Sequence, residues 1–272
     1  MNAQKNIFIS TPIPFSVKIK SLFELTKPKL NLLVVFSSLM GYLMAANTIV
    51  WLDFMMLAIA GYLITGSANI FNQIIEIDLD AKMDRTKNRP LPTGRVSVME
   101  SSLLGFLTLI IGLYLLFHFL NPLSALLSLF SWLLYVVVYT PLKQKTPFCV
   151  FVGAFPGAFP PMLGWISVTG GFGLEPGLLF LAQFAWQFPH FWAIAWKQYD
   201  QYHGAGFKML PLEGGKNKRN AKIVLLYTVF TLPASMLLYH FALSGLIYYC
   251  ISIGVSLWFI YVAYNFYLKQ TD

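Results

Sequence analysis

Long apolar stretches, separated by short polar segments, dominate the pattern of this 272-residue chain. A helix that crosses the hydrocarbon core of a bilayer needs about 20 such residues. Eight stretches are long enough, at residues 29–47, 51–76, 98–119, 122–140, 148–169, 174–197, 222–240 and 244–268. The pattern predicts an all-α integral membrane protein with eight visible spans. No segment resembles a linker, so we expect one transmembrane domain at residues 29–268, after a cytoplasmic N-terminal segment at residues 1–28.

Composition supports a membrane protein and excludes other classes. Hydrophobic residues make up 57% of the chain and charged residues 11%, whereas a soluble domain carries about 25% charged residues. The aromatic fraction of 17% excludes a disordered chain, and two cysteines exclude a disulfide framework. The net charge of +8 favours an anionic membrane surface or an anionic substrate over a nucleic acid.

The basic residues predict the orientation in the lipid bilayer. With eight spans, all 19 lysines and arginines fall on one side, in the two termini and in the loops after the second, fourth and sixth spans. Basic residues accumulate on the cytoplasmic side, so we expect a bacterial cytoplasmic (inner) membrane protein whose active face is cytoplasmic. The mitochondrial inner membrane is less favoured, because residues 1–28 lack the arginines of a presequence.

An acidic stripe follows the second apolar stretch. Asn72, Glu76, Asp80 and Asp84 recur every four residues and would share one face of a helix. Carboxylates at a membrane boundary are costly unless something compensates their charge. Hard oxygen ligands suit Mg²⁺, which usually binds one or two carboxylates together with substrate phosphates. The stripe therefore makes Asn72, Glu76 and Asp80 candidate metal ligands; the alternative is a solvated, charge-rich helix end.

Cations lie close to this stripe in sequence. Arg85 and Arg89 follow it directly, and Lys143 and Lys145 follow the fourth span. Arginine binds phosphate in a bidentate manner and lysine supplies a point charge. Acids that hold a metal beside cations that hold phosphate would form a diphosphate site. For the two lysines, anchoring of the span at the cytoplasmic surface explains the sequence equally well.

Two further blocks suggest chemistry. Glycines and prolines crowd residues 153–164, which predicts a kinked or broken helix that lines a central cavity, or else close packing of small residues. The sixth stretch contains Trp186, Gln187 and His190. An intramembrane histidine is a candidate for haem or substrate contact, although a structural histidine is as good an interpretation. Asp200 would face the acidic stripe from a second loop.

The motif Asn72-Gln-x-x-Glu76-x-x-x-Asp80-x-x-Met83-x-Arg85-Thr-x-x-Arg89-Pro-Leu resembles the first signature of the intramembrane aromatic prenyltransferase superfamily. Three features resemble its haem-farnesylating branch, the protohaem IX farnesyltransferases or haem O synthases. They are Glu76 where quinone-pathway relatives carry aspartate, the block from Tyr139 to Trp165, and the block from Trp186 to Phe191. The resemblance covers roughly residues 22–268. The second acidic pair of the superfamily is reduced here to Asp200.

The resemblance implies transfer of a farnesyl group from farnesyl diphosphate to a vinyl group of haem B, with addition of water, giving haem O. Mg²⁺ would bridge the diphosphate, and haem B is a substrate rather than a cofactor. Haem A synthase is the expected downstream partner. The family has nine spans and eight are visible here, so we expect the last one to be absent from this chain. The implied roles are metal binding and catalysis for Asn72, Glu76 and Asp80, catalysis for Arg85 and Arg89, substrate binding for Lys143, Lys145 and Asp200, π faces from Tyr139, Trp165 and Trp186, and haem contact for His190.

Three other functions compete with this interpretation. A prenyltransferase acting on a quinone precursor such as 4-hydroxybenzoate shares the motif but not Glu76 or the Trp186 block. A transporter or channel predicts charges deep within spans or inverted repeats, and neither is evident. A haem chaperone would not need the acidic stripe.

Overall fold

A computed structural model describes residues 13–270 as a bundle of helices with no strand in that range. The helix Val98–Leu115 continues into a π-helical turn at Leu116–Leu120, and the helix Pro122–Leu133 does so at Leu134–Tyr139. The helices are α1 Phe15–Leu25, α2 Pro28–Ala45, α3 Trp51–Ile75, α4 Ile77–Asp80, α5 Val98–Leu115, α6 Pro122–Leu133, α7 Thr140–Leu142, α8 Cys149–Thr169, α9 Leu174–Lys197, α10 Tyr199–Ala205, α11 Lys218–His240 and α12 Leu246–Lys269.

Each of the eight predicted stretches forms a long helix, but only seven helices in the described part of the chain are apolar enough to cross a membrane. The count of eight spans is therefore approximate, although every predicted stretch is helical. The exception is α9, which has 24 residues, about 36 Å at 1.5 Å per residue. Its interior carries Gln183, Gln187 and His190, so it falls short in composition rather than in length.

The α8–α9 pair leaves one end of the bundle and returns to it. The backbone N–H of Lys208, after α9, donates to the carbonyl of Lys143, before α8, at 2.7 Å. α9 packs between α8 and α11. The segments that flank the pair therefore meet at the end of the bundle where α3 stops, called here the acidic end after Glu76 and Asp80.

α8 runs unbroken from Cys149 to Thr169, although it contains Pro156, Pro160 and Pro161. The sequence predicted a kinked or broken helix, and the break was wrong; a substitute hydrogen bond satisfies one of the freed carbonyls. Pro161 has no N–H for the carbonyl of Gly157, and Gln187 Nε2 of α9 donates to that carbonyl at 3.0 Å. Gln187, which the sequence analysis grouped with His190, thus has a structural role.

Small residues bring α2 and α8 into backbone contact. A Cβ added to Gly41 would lie 2.0 Å from the carbonyl oxygen of Pro161, and one added to Gly164 would lie 1.8 Å from that of Ser38. Ser38 Oγ also donates to the carbonyl of Pro160 at 2.9 Å. The alternative of close packing is confirmed for these residues, and cavity lining by α8 stays a prediction.

α1 belongs to the predicted N-terminal segment, of which residues 1–12 lie outside the described residues. Side chains of α3 hold its end in place. Gln73 Nε2 donates to the carbonyl of Leu25 at 2.7 Å, and Asn69 Nδ2 donates to that of Thr26 at 3.4 Å. These bonds satisfy carbonyls that a helix C-terminus leaves unpaired. They fix a sharp elbow between α1 and α2.

Candidate active site

Three polar residues of the predicted stripe lie together and buried at the acidic end. Asn72, Glu76 and Asp80 expose 3%, 4% and 1% of their surface. The helix is interrupted between α3 and α4, where Glu76 adopts φ −102° and ψ 15°. The backbone N–H of Asp80 still donates to the carbonyl of Glu76 at 2.7 Å, so the two carboxylates remain neighbours.

Asp84 does not continue the stripe, because the helix ends before it. Its carboxylate is exposed and pairs with Lys87 at 2.5 Å. An exposed pair of this kind contributes little stability. The inner three residues of the stripe are thus the ones that the fold brings together.

Each buried carboxylate has its own cation. Lys143 Nζ lies 2.5 Å from Glu76 Oε1, and Arg89 Nη1 lies 2.6 Å from Asp80 Oδ2. The Lys143 side chain is 9% exposed and that of Arg89 19%. A buried charge without its partner costs several kcal/mol, on the order of 3–5. The sequence placed Lys143 and Arg89 in the site, and the structure brings both to the carboxylates.

Lys27 is a third cation, which the sequence did not single out for the site. It precedes Pro28 at the α1–α2 elbow and adopts φ 53°, a left-handed conformation that is strained for lysine. Its Nζ donates to Asn72 Oδ1 at 3.4 Å. Burial, with Arg89 and Lys143 nearby, lowers the pKa of Lys27 to about 7. A lysine directly before a proline at the membrane boundary was the available signal.

Basic side chains outnumber acidic ones in the cluster. Lys143 and Arg89 pair with Glu76 and Asp80, and Lys27 beside Asn72 is a third basic group. Both carboxylates are almost fully buried, with 4% of Glu76 and 1% of Asp80 exposed. The basic groups suit an anionic ligand, and the neighbouring carboxylates suit a divalent metal ion that such a ligand shares.

The donor set fits a metal that is shared with a ligand rather than one held by protein alone. Among residues 13–270, no group of three or more His, Cys, Asp or Glu side chains is placed to hold a metal. The site offers two carboxylates and the amide of Asn72, whose Nδ2 donates to Thr140 Oγ1 at 3.2 Å. Mg²⁺ commonly takes such a small oxygen set and completes its shell from substrate phosphates and water.

Three predicted site residues lie outside this buried cluster. Arg85 is exposed and its Nη2 donates to the hydroxyl of Tyr202 at 3.4 Å. Lys145 and Asp200 are exposed, and within the described chain neither has an ion pair. Gln201, the residue after Asp200, accepts a hydrogen bond from the Arg85 backbone at 3.3 Å. The α10 segment therefore reaches the rim of the site without its carboxylate.

Aromatic rings lead away from the cluster along α9. Lys143 Nζ lies 4.9 Å from the centre of the buried Tyr139 ring, and the ring of Phe191 lies 6.1 Å from that of Tyr139. Phe191 neighbours His190 at 6.0 Å, and His190 stacks on Trp186 at 4.3 Å. The predicted residues Tyr139, Trp186 and His190 thus belong to one path of rings.

Trp165 does not join this path. It packs against Leu178 and Leu238 near the end of α8 farthest from Lys143. It lies 16 residues beyond Cys149, the first residue of the helix, which corresponds to about 24 Å. At that distance Trp165 does not reach the acidic end, and its role as a π face of the cavity stays a prediction.

Comparison with known proteins identifies the family of the chain. Residues 34–272 match the UbiA prenyltransferase family. The chain belongs to the UbiA prenyltransferase family. It is therefore an enzyme of the polyprenyl-transferring class and a multi-pass membrane protein. The resemblance inferred from the Asn72–Leu91 motif is confirmed at the family level.

Two curated relatives cover most of the chain. It is 46% identical to the protoheme IX farnesyltransferase of Christiangramia forsetii over 257 residues. This alignment covers 91% of this chain and 83% of the relative. The corresponding enzyme of Cytophaga hutchinsonii is 48% identical over 240 residues, covering 87% and 84%. A solved UbiA homologue from Archaeoglobus fulgidus, bound to GPP and Mg²⁺, has a TM-score of 0.71 at 18% identity, covering 89% and 86% of the two chains. That structural likeness shows the UbiA fold.

Proposed function

We propose that this UbiA enzyme transfers a farnesyl group from farnesyl diphosphate to a vinyl group of haem B, with addition of water, giving haem O and diphosphate. The observation that carries the proposal is the buried cluster in which Lys27, Arg89 and Lys143 surround Glu76 and Asp80. The names of the relatives at 46% and 48% identity support farnesyl diphosphate as donor and haem as acceptor.

Glu76 and Asp80, assisted by Asn72, are the residues that would hold Mg²⁺. When bound, the metal would supply positive charge that stabilises the diphosphate leaving group. The two buried carboxylates fit this role, and the solved relative that holds GPP and Mg²⁺ supports it. Lys143 and Arg89 would exchange their carboxylate partners for phosphate oxygens, with Lys27 beside them. Arg85, Lys145 and Asp200 would contact the substrate only from the rim.

The surroundings of Tyr139 suit the cation that loss of diphosphate creates. The bond between C1 and oxygen breaks with its electron pair on the diphosphate, leaving an allylic cation. Tyr139 and Phe191 offer π faces that attract a cation, and burial of Tyr139 keeps water from capturing it early. The vinyl π electrons form the new carbon–carbon bond. The resulting carbocation takes up water and loses a proton, giving a hydroxyethylfarnesyl group.

His190 and Trp186 are the proposed contacts for the haem acceptor. The stacked pair, with its rings 18° from parallel, lies two ring contacts from Tyr139 and offers a flat surface to a macrocycle. Replacing His190 with alanine should weaken haem binding, measured by optical titration of purified protein. An unchanged titration of His190→Ala, with Trp186→Ala as a parallel variant, would remove the assignment.

The acidic end is proposed to face the cytoplasm of a bacterium. The segments that converge on it carry Lys27, Arg85, Arg89 and Lys143, which agrees with the accumulation of basic residues on the cytoplasmic side. Farnesyl diphosphate would then arrive from the cytoplasm and haem from the bilayer. Haem A synthase remains the proposed downstream enzyme.

A single expression experiment tests the reaction. The chain is produced in a bacterial host without its own haem O synthase, and extracted haems are separated by liquid chromatography with mass detection. We expect a new peak at the mass of hydroxyethylfarnesyl haem, absent from cells with the Asp80→Asn variant. Haem B alone, with the protein present in the membrane, contradicts the proposal. Supplying 4-hydroxybenzoate to the same membranes then tests a quinone-type acceptor.

A further inference from the structure

The circumference of α1 is divided into three sectors of different character. With 100° per residue, Ser21, Leu22 and Leu25 form one sector, which is packed against the bundle. Ser16, Lys20 and Glu24 form a second, which is exposed and polar. The third sector consists of Phe15, Ile19 and Phe23, spaced four residues apart and 77%, 51% and 58% exposed.

Ion pairs hold α1 in one rotation about its axis. Lys18 pairs with Glu100 at the start of α5. Arg95 Nη1 pairs with Glu24 Oε2 at 3.0 Å. The helix is thereby fixed to the α4–α5 connection at the acidic end, and its apolar sector has a defined direction.

The apolar sector leads into a surface that meets lipid. α2 follows α1 after two residues and is one of the membrane-crossing helices. Its first turns expose Leu30 by 49% and Leu33 by 72%. An exposed aromatic and aliphatic stripe that joins such a surface has the character of an interfacial helix, which buries its apolar face about 5–10 Å into the headgroup boundary.

We infer that α1 is an interfacial helix whose Phe15, Ile19 and Phe23 insert into the bilayer at the acidic end. Its three sectors then match its three neighbours: the bundle, the lipid and water. The inference does not depend on the proposed reaction. It gives the bilayer a part in shaping the site, because Gln73 binds the last carbonyl of α1 and Lys27 follows two residues later.

Spin labels measure the environment of each sector. In a Cys250→Ser background, in which the remaining Cys149 is buried, single cysteines are placed at Ile19 and Phe23. Lys20→Cys is the matched control on the polar sector of the same helix. Leu33→Cys and Asn88→Cys are the lipid and water references. Labelled proteins in lipid nanodiscs are compared for collision with oxygen and with a water-soluble nickel chelate.

Spin labels at positions 19 and 23 should resemble the label at position 33. Their ratio of oxygen collisions to nickel-chelate collisions should be at least several-fold higher than that of the label at position 20. Equal behaviour at positions 19 and 20 would overturn the inference, because it would place the stripe in water. Shielding of position 19 from both reagents would overturn it as well, since protein would then cover the stripe. Phe15→Cys repeats the measurement if a labelled variant does not fold.

Discussion

Asp80 has the most buried carboxylate of the acidic end, and its Oδ2 accepts from Arg89 at 2.6 Å. Asparagine has the same shape and can still accept from Arg89, but it carries no charge for a metal. We expect Asp80→Asn to remain folded and to lose about 100- to 1000-fold in kcat, the size typical for loss of one charge-stabilising group. Turnover of purified protein with farnesyl diphosphate and haem B measures the effect.

Asp84→Asn is the control for that substitution. Its carboxylate lies four residues further on, but it is exposed and contacts only Lys87 among the described ion pairs. Its turnover should stay within about twofold of the parent, as is usual for surface changes that matter little. Equal losses in both variants would show that the stripe acts through its overall charge rather than through Asp80.

Lys27 combines a strained backbone with a half-buried amine, and glycine at this position would relieve the strain while removing the amine. Glycine adopts φ 53° without strain, so Lys27→Gly should keep the elbow and relieve about 1 kcal/mol. The cation beside Asn72 is lost. We expect an unchanged or higher Tm together with a KM for farnesyl diphosphate raised about tenfold, the effect of losing one charged hydrogen bond. Lys29→Gly, at an exposed position, is the control; an unaltered KM in Lys27→Gly would exclude contact with diphosphate.

The difference between Asp80 and Lys27 shows what local spacing can predict. The sequence alone identifies Asn72, Glu76 and Asp80 as a group, because they recur within one short segment at helical spacing. Lys27 lies 45 residues before its partner Asn72. Its place depends on hydrogen bonds from Gln73 and Asn69 to the end of α1, and no periodicity along the chain encodes such an elbow.

Between elements, the contact of α2 with α8 is the tightest test of the fold. A methyl group at Gly41 would meet the backbone oxygen of Pro161 at 2.0 Å, and a backbone atom cannot turn aside as a side chain can. Gly41→Ala should therefore destabilise the protein by about 1–3 kcal/mol or more, seen as a lower Tm in detergent. Gly177→Ala on α9 meets no atom within 4 Å and should be neutral or slightly stabilising. An equal Tm for both variants would contradict the packing described.

Helices α8 and α9 show why a break in α8 was expected from the sequence. Three prolines within one helix remove backbone donors, and the sequence indicates that loss clearly. For one freed carbonyl, that of Gly157, the compensating donor is Gln187 on α9, which local reasoning could treat only as a neighbour of His190.

Across the whole molecule, the site is a meeting point of segments that are far apart in sequence. Lys27 follows α1, Glu76 follows α3, Lys143 follows α7, and Tyr202 lies after α9. Two long helices separate each of these segments from the next, so the chain returns to the same end of the bundle each time. The distribution of basic residues anticipated this convergence, since each of these connections is rich in lysine or arginine. Which cation pairs with which acid followed only from the packed structure.

The two ends of the bundle should therefore be distinguishable from outside the cell. Asn88 is exposed in the connection at the acidic end, and Gly171 lies in the α8–α9 turn at the other end, where an added Cβ meets nothing within 4 Å. In a Cys250→Ser background, a membrane-impermeant maleimide should label Gly171→Cys in intact spheroplasts. It should label Asn88→Cys only after the membrane is opened, because basic loops stay on the cytoplasmic side. The reverse pattern would place the acidic end outside the cytoplasm, where farnesyl diphosphate made in the cytoplasm would not reach Glu76 and Asp80.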